Sequence, residues 1–337
     1  MRVRFGYVAM SVHLENASPS RTMTMKSFSK LADRDAGLRR LERLAEENLR
    51  NTLRLLKHNR YSGVHVYRLT SKLIPLATHE ALRDWNPYPA LATAFAEVGA
   101  FVREHRMRVS FHPDHFTVLN TPRMDVFEKS VIDLDHHVRM FEAMELDGRA
   151  LNNIHVGGSY GDKEAAGRRF VEQFRLVEPR IARRITLEND DKTFTAAETL
   201  AIAEEVGVPM VLDLHHDAVN RSSEKPVELW PRIKETWNRL EWNIVHAEDA
   251  VLKLPPKIHV SSPKSVSDPR GHADYVEPEP LLDFLFRIAG TTPALDVMIE
   301  AKKKDDALMK LVAHFRALER QGDPIRVLDG GTVEIRT

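Results

Sequence analysis

Residues able to hold divalent metal recur along the chain at the ends of short apolar runs. His112 closes one run, His155 lies near the end of the next, and Glu188 ends a third. Asp213 and His216 end a fourth, His259 lies in a fifth with His272 in the loop beyond it, and Glu300 ends a sixth. These eight positions offer five imidazoles and three carboxylates, with no thiolate anywhere in the chain. Such a donor set suits zinc, manganese, iron or cobalt and is nitrogen-rich for calcium or magnesium. Eight ligands exceed what one ion needs, so two or three ions sharing carboxylates is the natural count. Clusters of that kind activate water and stabilise both oxygens of an in-line phosphoryl displacement. Taken singly, each histidine is more often a hydrogen-bonded structural residue, as we expect of His13, His58, His65, His105, His136, His137 and His246. The coincidence across six run ends carries the metal reading, and a polar, metal-free pocket is its alternative.

Two positions need a local argument. In Asp213-Leu214-His215-His216, a continuing strand would point His216 away from Asp213, so the strand must end near Leu214 for His216 to turn inward. Lys257 lies two residues before His259 and shares its strand face. It is either a structural lysine paired with a carboxylate or a member of the metal site, as a phosphate contact or, if carboxylated, as a bridging ligand.

These residues need a scaffold that brings run ends together. The apolar runs read as strands over 3–9, 64–69, 108–112, 151–156, 185–189, 208–214, 257–261 and 295–301. Amphipathic stretches between them predict helices over 31–57, 88–105, 124–145, 162–177, 196–206, 227–240, 279–289 and 305–321. Eight strand–helix pairs imply a parallel sheet with right-handed crossovers. No glycine-rich phosphate loop follows the first strand, where Ser11-Val12-His13-Leu14-Glu15-Asn16 stands, so an open dinucleotide fold is disfavoured. We expect an α/β fold: one (β/α)8 TIM barrel over residues 1–337, with the site on the C-terminal face of its strands. The least regular stretch, 261–280, is expected to be an active-site loop.

Composition sets bounds. Lys plus Arg and Asp plus Glu are both 49, so a protein that coats nucleic acid by bulk charge is excluded, while a local basic rim is not. Cysteine is absent, which rules out disulfides and fits a reducing cytoplasm. No apolar run reaches membrane-spanning length and the first residues carry no secretory pattern, so a cytoplasmic, monomeric protein without membrane contact is expected.

Several segments together resemble the UV damage endonucleases. They include Phe5-Gly6-Tyr7, Tyr67-Arg68-Leu69-Thr70-Ser71-Lys72-Leu73-Ile74-Pro75-Leu76, Ser110-Phe111-His112-Pro113 and Ile154-His155-Val156-Gly157-Gly158. Leu187-Glu188-Asn189-Asp190-Asp191, Asp213-Leu214-His215-His216, Lys257-Ile258-His259-Val260-Ser261-Ser262-Pro263-Lys264, His272-Ala273-Asp274-Tyr275 and Asp296 to Lys302 follow in order. Endonuclease IV is similar more distantly. The resemblance implies a bacterial-type DNA repair enzyme that nicks damaged double-stranded DNA immediately 5′ of a UV photoproduct, leaving 3′-hydroxyl and 5′-phosphate ends. It implies manganese, with zinc, cobalt or magnesium as other candidates, on the eight ligands above. It further implies that Lys257 is the modified lysine, that His79 is a nearby functional histidine and that Tyr7 contacts the lesion. His115-Phe116 stands where many relatives carry Gln-Tyr; Phe116 keeps a ring that can stack on an unpaired base but lacks the phenolic hydroxyl. Arg68, Lys72, Lys264, Arg270 and Lys302, with Lys303 and Lys304, follow strands on the same face and would form a basic rim for the phosphates. Two rivals stay open: a metal-dependent sugar isomerase or epimerase on the same barrel, and a damage-binding protein with structural ions.

Overall fold

Strands that alternate with helices pair in parallel, because each crossover returns the chain to the same end of the sheet. The computed structural model describes residues 1–249 and 252–336. Its strands are β1 (Arg2–Val8), β2 (Val66–Arg68), β3 (Arg108–Phe111), β4 (Leu151–His155), β5 (Ile185–Glu188), β6 (Met210–Asp213), β7 (Lys257–Val260), β8 (Pro263–Ser265), β9 (Asp268–His272), β10 (Ala294–Ile299), β11 (Ile325–Val327) and β12 (Thr332–Ile335). Strands β1 to β7 and β10 pair in parallel in sequence order, and β10 pairs with β1 from Arg2↔Ala294 to Tyr7↔Ile299. That last pairing closes an eight-stranded (β/α)8 barrel, as expected.

Helices surround it: α1 (Met25–Phe28), α2 (Arg34–Tyr61), α3 (Tyr88–Glu104), α4 (Met124–Ala143), α5 (Lys163–Phe174), α6 (Pro179–Ala182), α7 (Ala196–Val206), α8 (Leu214–Val219), α9 (Pro226–Asn238), α10 (Glu241–Val245), α11 (Pro278–Ile288) and α12 (Lys304–Gln321). Local chemistry sets their ends. Thr195 and Glu198 form a capping box at the start of α7, and Gly207 closes it in the left-handed region. Among the described residues no helix is long and apolar enough to cross a membrane.

Three features depart from the sequence expectation. The stretch 261–280 is partly ordered as an antiparallel hairpin of β8 and β9 rather than a plain loop. The C-terminal segment forms a second hairpin, β11–β12, and β12 pairs with Arg2 to Arg4 of β1. Strand β2 is only three residues long and covers Gly6 to Val8, so β12 takes the lower part of that edge. The third is a small apolar cluster of Met23, Phe28, Leu41 and Leu82, which joins α1 and α2 to the turn at Glu80–Leu82. It is built from the segments that follow β1 and β2, and so it rises on the C-terminal face.

Close strand contact also fixes Gly6. A Cβ there would lie 2.3 Å from the Val66 carbonyl oxygen, so any other residue would push β1 and β2 apart.

Candidate metal centre

Polar side chains run up the interior of the barrel beside a small apolar cluster of Val8, Val66 and Met298. At the N-terminal end, Asp296 accepts from Arg4 Nε and Nη2 at 2.7 and 2.8 Å and from Arg108 Nη1 at 2.6 Å. One layer higher, Lys257 Nζ donates to Ser110 Oγ at 3.0 Å, and Thr186 Oγ1 donates to Asn153 Oδ1 at 2.8 Å. Asn153 Nδ2 then donates to Glu188 Oε2, so the Glu188 carboxylate is aimed from below by β4 and β5.

Seven of the eight expected ligands meet above that layer. Three groups have donor atoms all within 4.8 Å of one another: His112, His155 and Glu188; Glu188, His259 and Glu300; and Glu188, Asp213 and His216. Glu188 belongs to all three. Its Oε2 lies 3.1 Å from His112 Nε2 and 3.1 Å from His259 Nδ1, and His259 Nδ1 is also 3.1 Å from Glu300 Oε1. Strand β6 ends at Asp213, whose Oδ1 caps α8 by accepting from His216 N at 2.7 Å. The turn into α8 brings the His216 ring to 3.5 Å from Glu188. Asn189 holds this corner: its side chain bonds both backbone groups of Asp213, at 2.9 and 3.0 Å. His272 stands outside the three groups, at 3.9 Å from Glu300 Oε2.

Four imidazoles share one arrangement. The Nδ1 atoms of His112, His155, His216 and His272 lie 3.0, 3.3, 2.9 and 2.7 Å from the carbonyl oxygens of Pro113, Glu188, Asn189 and Glu300. A carbonyl only accepts, so each Nδ1 carries a proton, and whenever such a ring is neutral its lone pair lies on Nε2. That is how metal-ligating histidines are commonly fixed in tautomer and orientation.

The electrostatics also ask for a cation. Burial opposes ionisation of Glu188, but His259 and His155 hold its carboxyl well below the usual range. Burial likewise works against Glu300, and Arg68 and His259 overcome it. In return, against the effect of burial, Glu188 and Glu300 raise His259 to about 9, while Asp213, Glu188 and Glu300 raise His216 to about 9. Glu188 Oε1 and Asp213 Oδ2 are buried with no hydrogen-bond donor among the described residues. Unpaired buried carboxylate oxygens are destabilising unless a cation meets them. Donor types, tautomers and orphaned oxygens therefore all fit divalent metal. The centre is reachable: a cavity of about 280 Å³ between the segments after β3, β4 and β5 extends to His155 and His216. Gly157 shapes its wall at φ 117°, where a Cβ would sit 2.2 Å from Asn120 Oδ1.

The remaining expected residues divide. Lys257 is buried directly beneath the centre, and its partner is Ser110 rather than a carboxylate. Burial, then the charge of Arg108, pushes its amine well below the usual lysine range. Arg68 is not a free rim cation: it is bound to Glu300 and is largely buried, so it belongs to the centre. Tyr7 is a correction as well. It is fully buried on the outer face of β1, where its hydroxyl donates to Asn59 Oδ1 at 2.5 Å, and DNA cannot reach it. His79 caps the turn at Glu80–Leu82 through Nδ1, 3.2 Å from Ala81 N, outside the ligand groups. Lys72 and Lys302 are exposed, Lys264 pairs with Asp268 at 3.2 Å, and Arg270 lies 3.7 Å from Asp191. His115 and Phe116 project together, ring centroids 4.0 Å apart, with Phe116 74% exposed. Asn153, Asn189 and His215 were missed by the sequence reasoning, because their importance lies in which backbone or side chain they meet across the barrel.

Known proteins are similar to this chain over most of its length. A family model described as UV-endonuclease UvdE matches residues 3–327. The UV DNA damage endonuclease of Halalkalibacterium halodurans is 42% identical over 335 residues, which is 99% of either chain. The solved structure of SacUVDE aligns with a TM-score of 0.79 at 26% identity, covering 94% of this chain and 99% of that one. Endonuclease IV from Thermus thermophilus shares the fold, with a TM-score of 0.52 at 14% identity over 94% of this chain and 99% of that one.

Proposed function

This chain belongs to the UV-endonuclease family, and from that premise we propose that it nicks DNA immediately 5′ of a UV photoproduct, using two or three divalent ions held at the barrel mouth. The observation that carries the reading is Glu188, one buried carboxylate shared by three ligand groups. His112, His155, Glu188, Asp213, His216, His259 and Glu300 would hold the ions, with His272 closing over them. When bound, divalent metal supplies an activated water and neutralises charge on the phosphate. Manganese is the metal we propose, since it accepts mixed imidazole and carboxylate ligands at six-coordination.

The reaction is hydrolysis. Water oxygen bonds to phosphorus, the bond from phosphorus to the 3′ oxygen breaks, and that oxygen leaves as a 3′-hydroxyl while the phosphate stays on the lesion side. The chain's own residues orient this event. Asn153 fixes the plane of the Glu188 carboxylate, and four backbone carbonyls fix the imidazole tautomers. Arg68, bound to Glu300, places a permanent positive charge beside the phosphate path. Lys257 sits beneath with a depressed amine, the neutral form able to combine with carbon dioxide, and we propose that it is the modified lysine. Lys72, Lys264, Arg270 and Lys302 would grip the backbone phosphates, while His115 and Phe116 would enter the stack at the lesion. A photoproduct is already kinked and unstacks at lower cost, so we extend the proposal to abasic and other distorting lesions.

The epimerase alternative loses its basis once the family is assigned. The test is Glu188→Gln. The amide keeps the shape but loses the negative charge that would hold a cation, so the purified variant should retain less metal after dialysis and nick a lesion-bearing duplex about 100-fold more slowly. Normal metal content and normal nicking would refute the assignment.

A further inference from the structure

The consecutive histidines after β6 diverge. His216 turns into the metal centre, while His215 is buried and reaches sideways to the hairpin of β8 and β9. Its Nε2 lies 2.8 Å from the Pro269 carbonyl oxygen, so Nε2 carries the proton and donates. The same ring packs edge-on against His272 at the hairpin's end, with centroids 5.3 Å apart and planes at 76°.

The hairpin needs such a support. A two-stranded ribbon is marginal on its own in water. Every residue of β8 is exposed, and the ladder is irregular between Pro263 and Ser265. Its base is secured by Ala273 N donating to Ser262 O at 2.8 Å and by His272 donating to Glu300 O at 2.7 Å. Between those points and the exposed tip at Val266, His215 donates to the hairpin backbone, and Arg270 lies 3.7 Å from Asp191 at the surface.

His272 is also the expected ligand that falls outside the three preassembled groups. Its Nδ1 is tied to Glu300 O at the base of the ribbon, and its ring is met from the barrel side by His215, which also holds Pro269 of β9.

We infer that His215 is a positioning residue that latches the β8–β9 hairpin and thereby presents His272 to the metal centre. This rests on the metal-dependent reading above. His215 does not itself touch an ion or substrate. It acts through one hydrogen bond to Pro269 and one ring face against His272.

The experiment titrates MnCl2 into the full-length protein and counts free Mn2+ by electron paramagnetic resonance, beside nicking of a lesion-bearing duplex. His215→Phe keeps a ring and removes the donor; His215→Gln keeps an N–H near the Nε2 position. We expect His215→Phe to weaken the His272-dependent Mn2+ by about 10- to 100-fold, the range seen for residues that orient ligands. His215→Gln should restore binding to within about threefold of wild type, and adding His215→Phe to His272→Ala should change nothing further. A merely structural histidine would show neither the rescue nor the lost additivity. Wild-type Mn2+ binding by folded His215→Phe, or independent effects in the double variant, overturns this inference and leaves the metal reading standing. Absence of Mn2+ uptake by the wild type overturns both.

Discussion

Replacing Asp296 by asparagine tests whether the polar interior of the barrel is held as described. Asp296 is fully buried and joins Arg4 to Arg108 through three hydrogen bonds. The Arg4 side chain is 27% exposed and can turn towards the N-terminal mouth. Arg108 is 3% exposed and cannot; its Nη1 also donates to Pro255 O at 2.8 Å, and its guanidinium lies 4.9 Å from the Trp237 ring centroid. Asp296→Asn therefore strands one buried cation, which costs about 3 to 5 kcal/mol. With a urea slope of about 3 kcal/mol per molar for a large domain, the midpoint should fall by about 1 to 2 M. Tryptophan fluorescence reports the transition, because Trp237 lies against the perturbed group. Removing both charges in Asp296→Leu/Arg108→Met should recover at least about 2 kcal/mol over Asp296→Leu alone. A loss below about 1 kcal/mol in Asp296→Asn, or a double variant weaker than the single, would refute the reasoning.

Two further outcomes follow from single residues. Burial, with the charges of His137 and Arg139, pushes His136 down to about 3, so below the ordinary histidine value of about 6.5 the unfolded chain takes up a proton that the folded chain refuses. Stability is therefore lost as pH falls through that window, by about 2 kcal/mol between pH 6.5 and 5, and His136→Gln should flatten the profile by that amount in urea titrations; parallel profiles would contradict it. Phe116 is 74% exposed, so Phe116→Ala should leave the melting temperature unchanged while weakening binding to a lesion-bearing duplex by roughly 5- to 150-fold, the value of about 1 to 3 kcal/mol for one stacked base. Unchanged binding in a gel-shift assay would remove Phe116 from the lesion contact.

The barrel and its ligand cluster were legible because both are written in local pattern. Alternating apolar runs and amphipathic stretches announce strand–helix pairs, and histidine or carboxylate where a strand wants Val or Ile marks the end of the barrel at which those side chains gather. The bend that turns His216 inward was readable too, since Asp213 is a good N-cap. What was not legible depends on distant partners. Arg68 pairs with Glu300, 232 residues away, so its place in the centre rather than on the rim could not be seen from sequence. The contact of His215 with Pro269 of the β8–β9 hairpin, 54 residues away, was hidden in the same way. Tyr7 belongs here too: Arg4 turns inward to meet Asp296, 292 residues away, and strand alternation then turns Gly6 inward and Tyr7 outward. The β11–β12 hairpin did carry a local mark in Asp329-Gly330-Gly331 before Thr332, Val333, Glu334 and Ile335, with Gly331 N donating to Asp329 Oδ1 at 2.9 Å.

The most direct test of the central claim is a nicking assay on a duplex labelled at its 5′ end and carrying one cyclobutane dimer, run with MnCl2 and with EDTA. The account requires one labelled product that ends immediately 5′ of the dimer, carries an extendable 3′-hydroxyl and disappears with EDTA. Binding without any cut in MnCl2 would contradict it and leave a damage-binding protein. A cut confined to an abasic duplex would contradict the lesion assignment while keeping the metal nuclease.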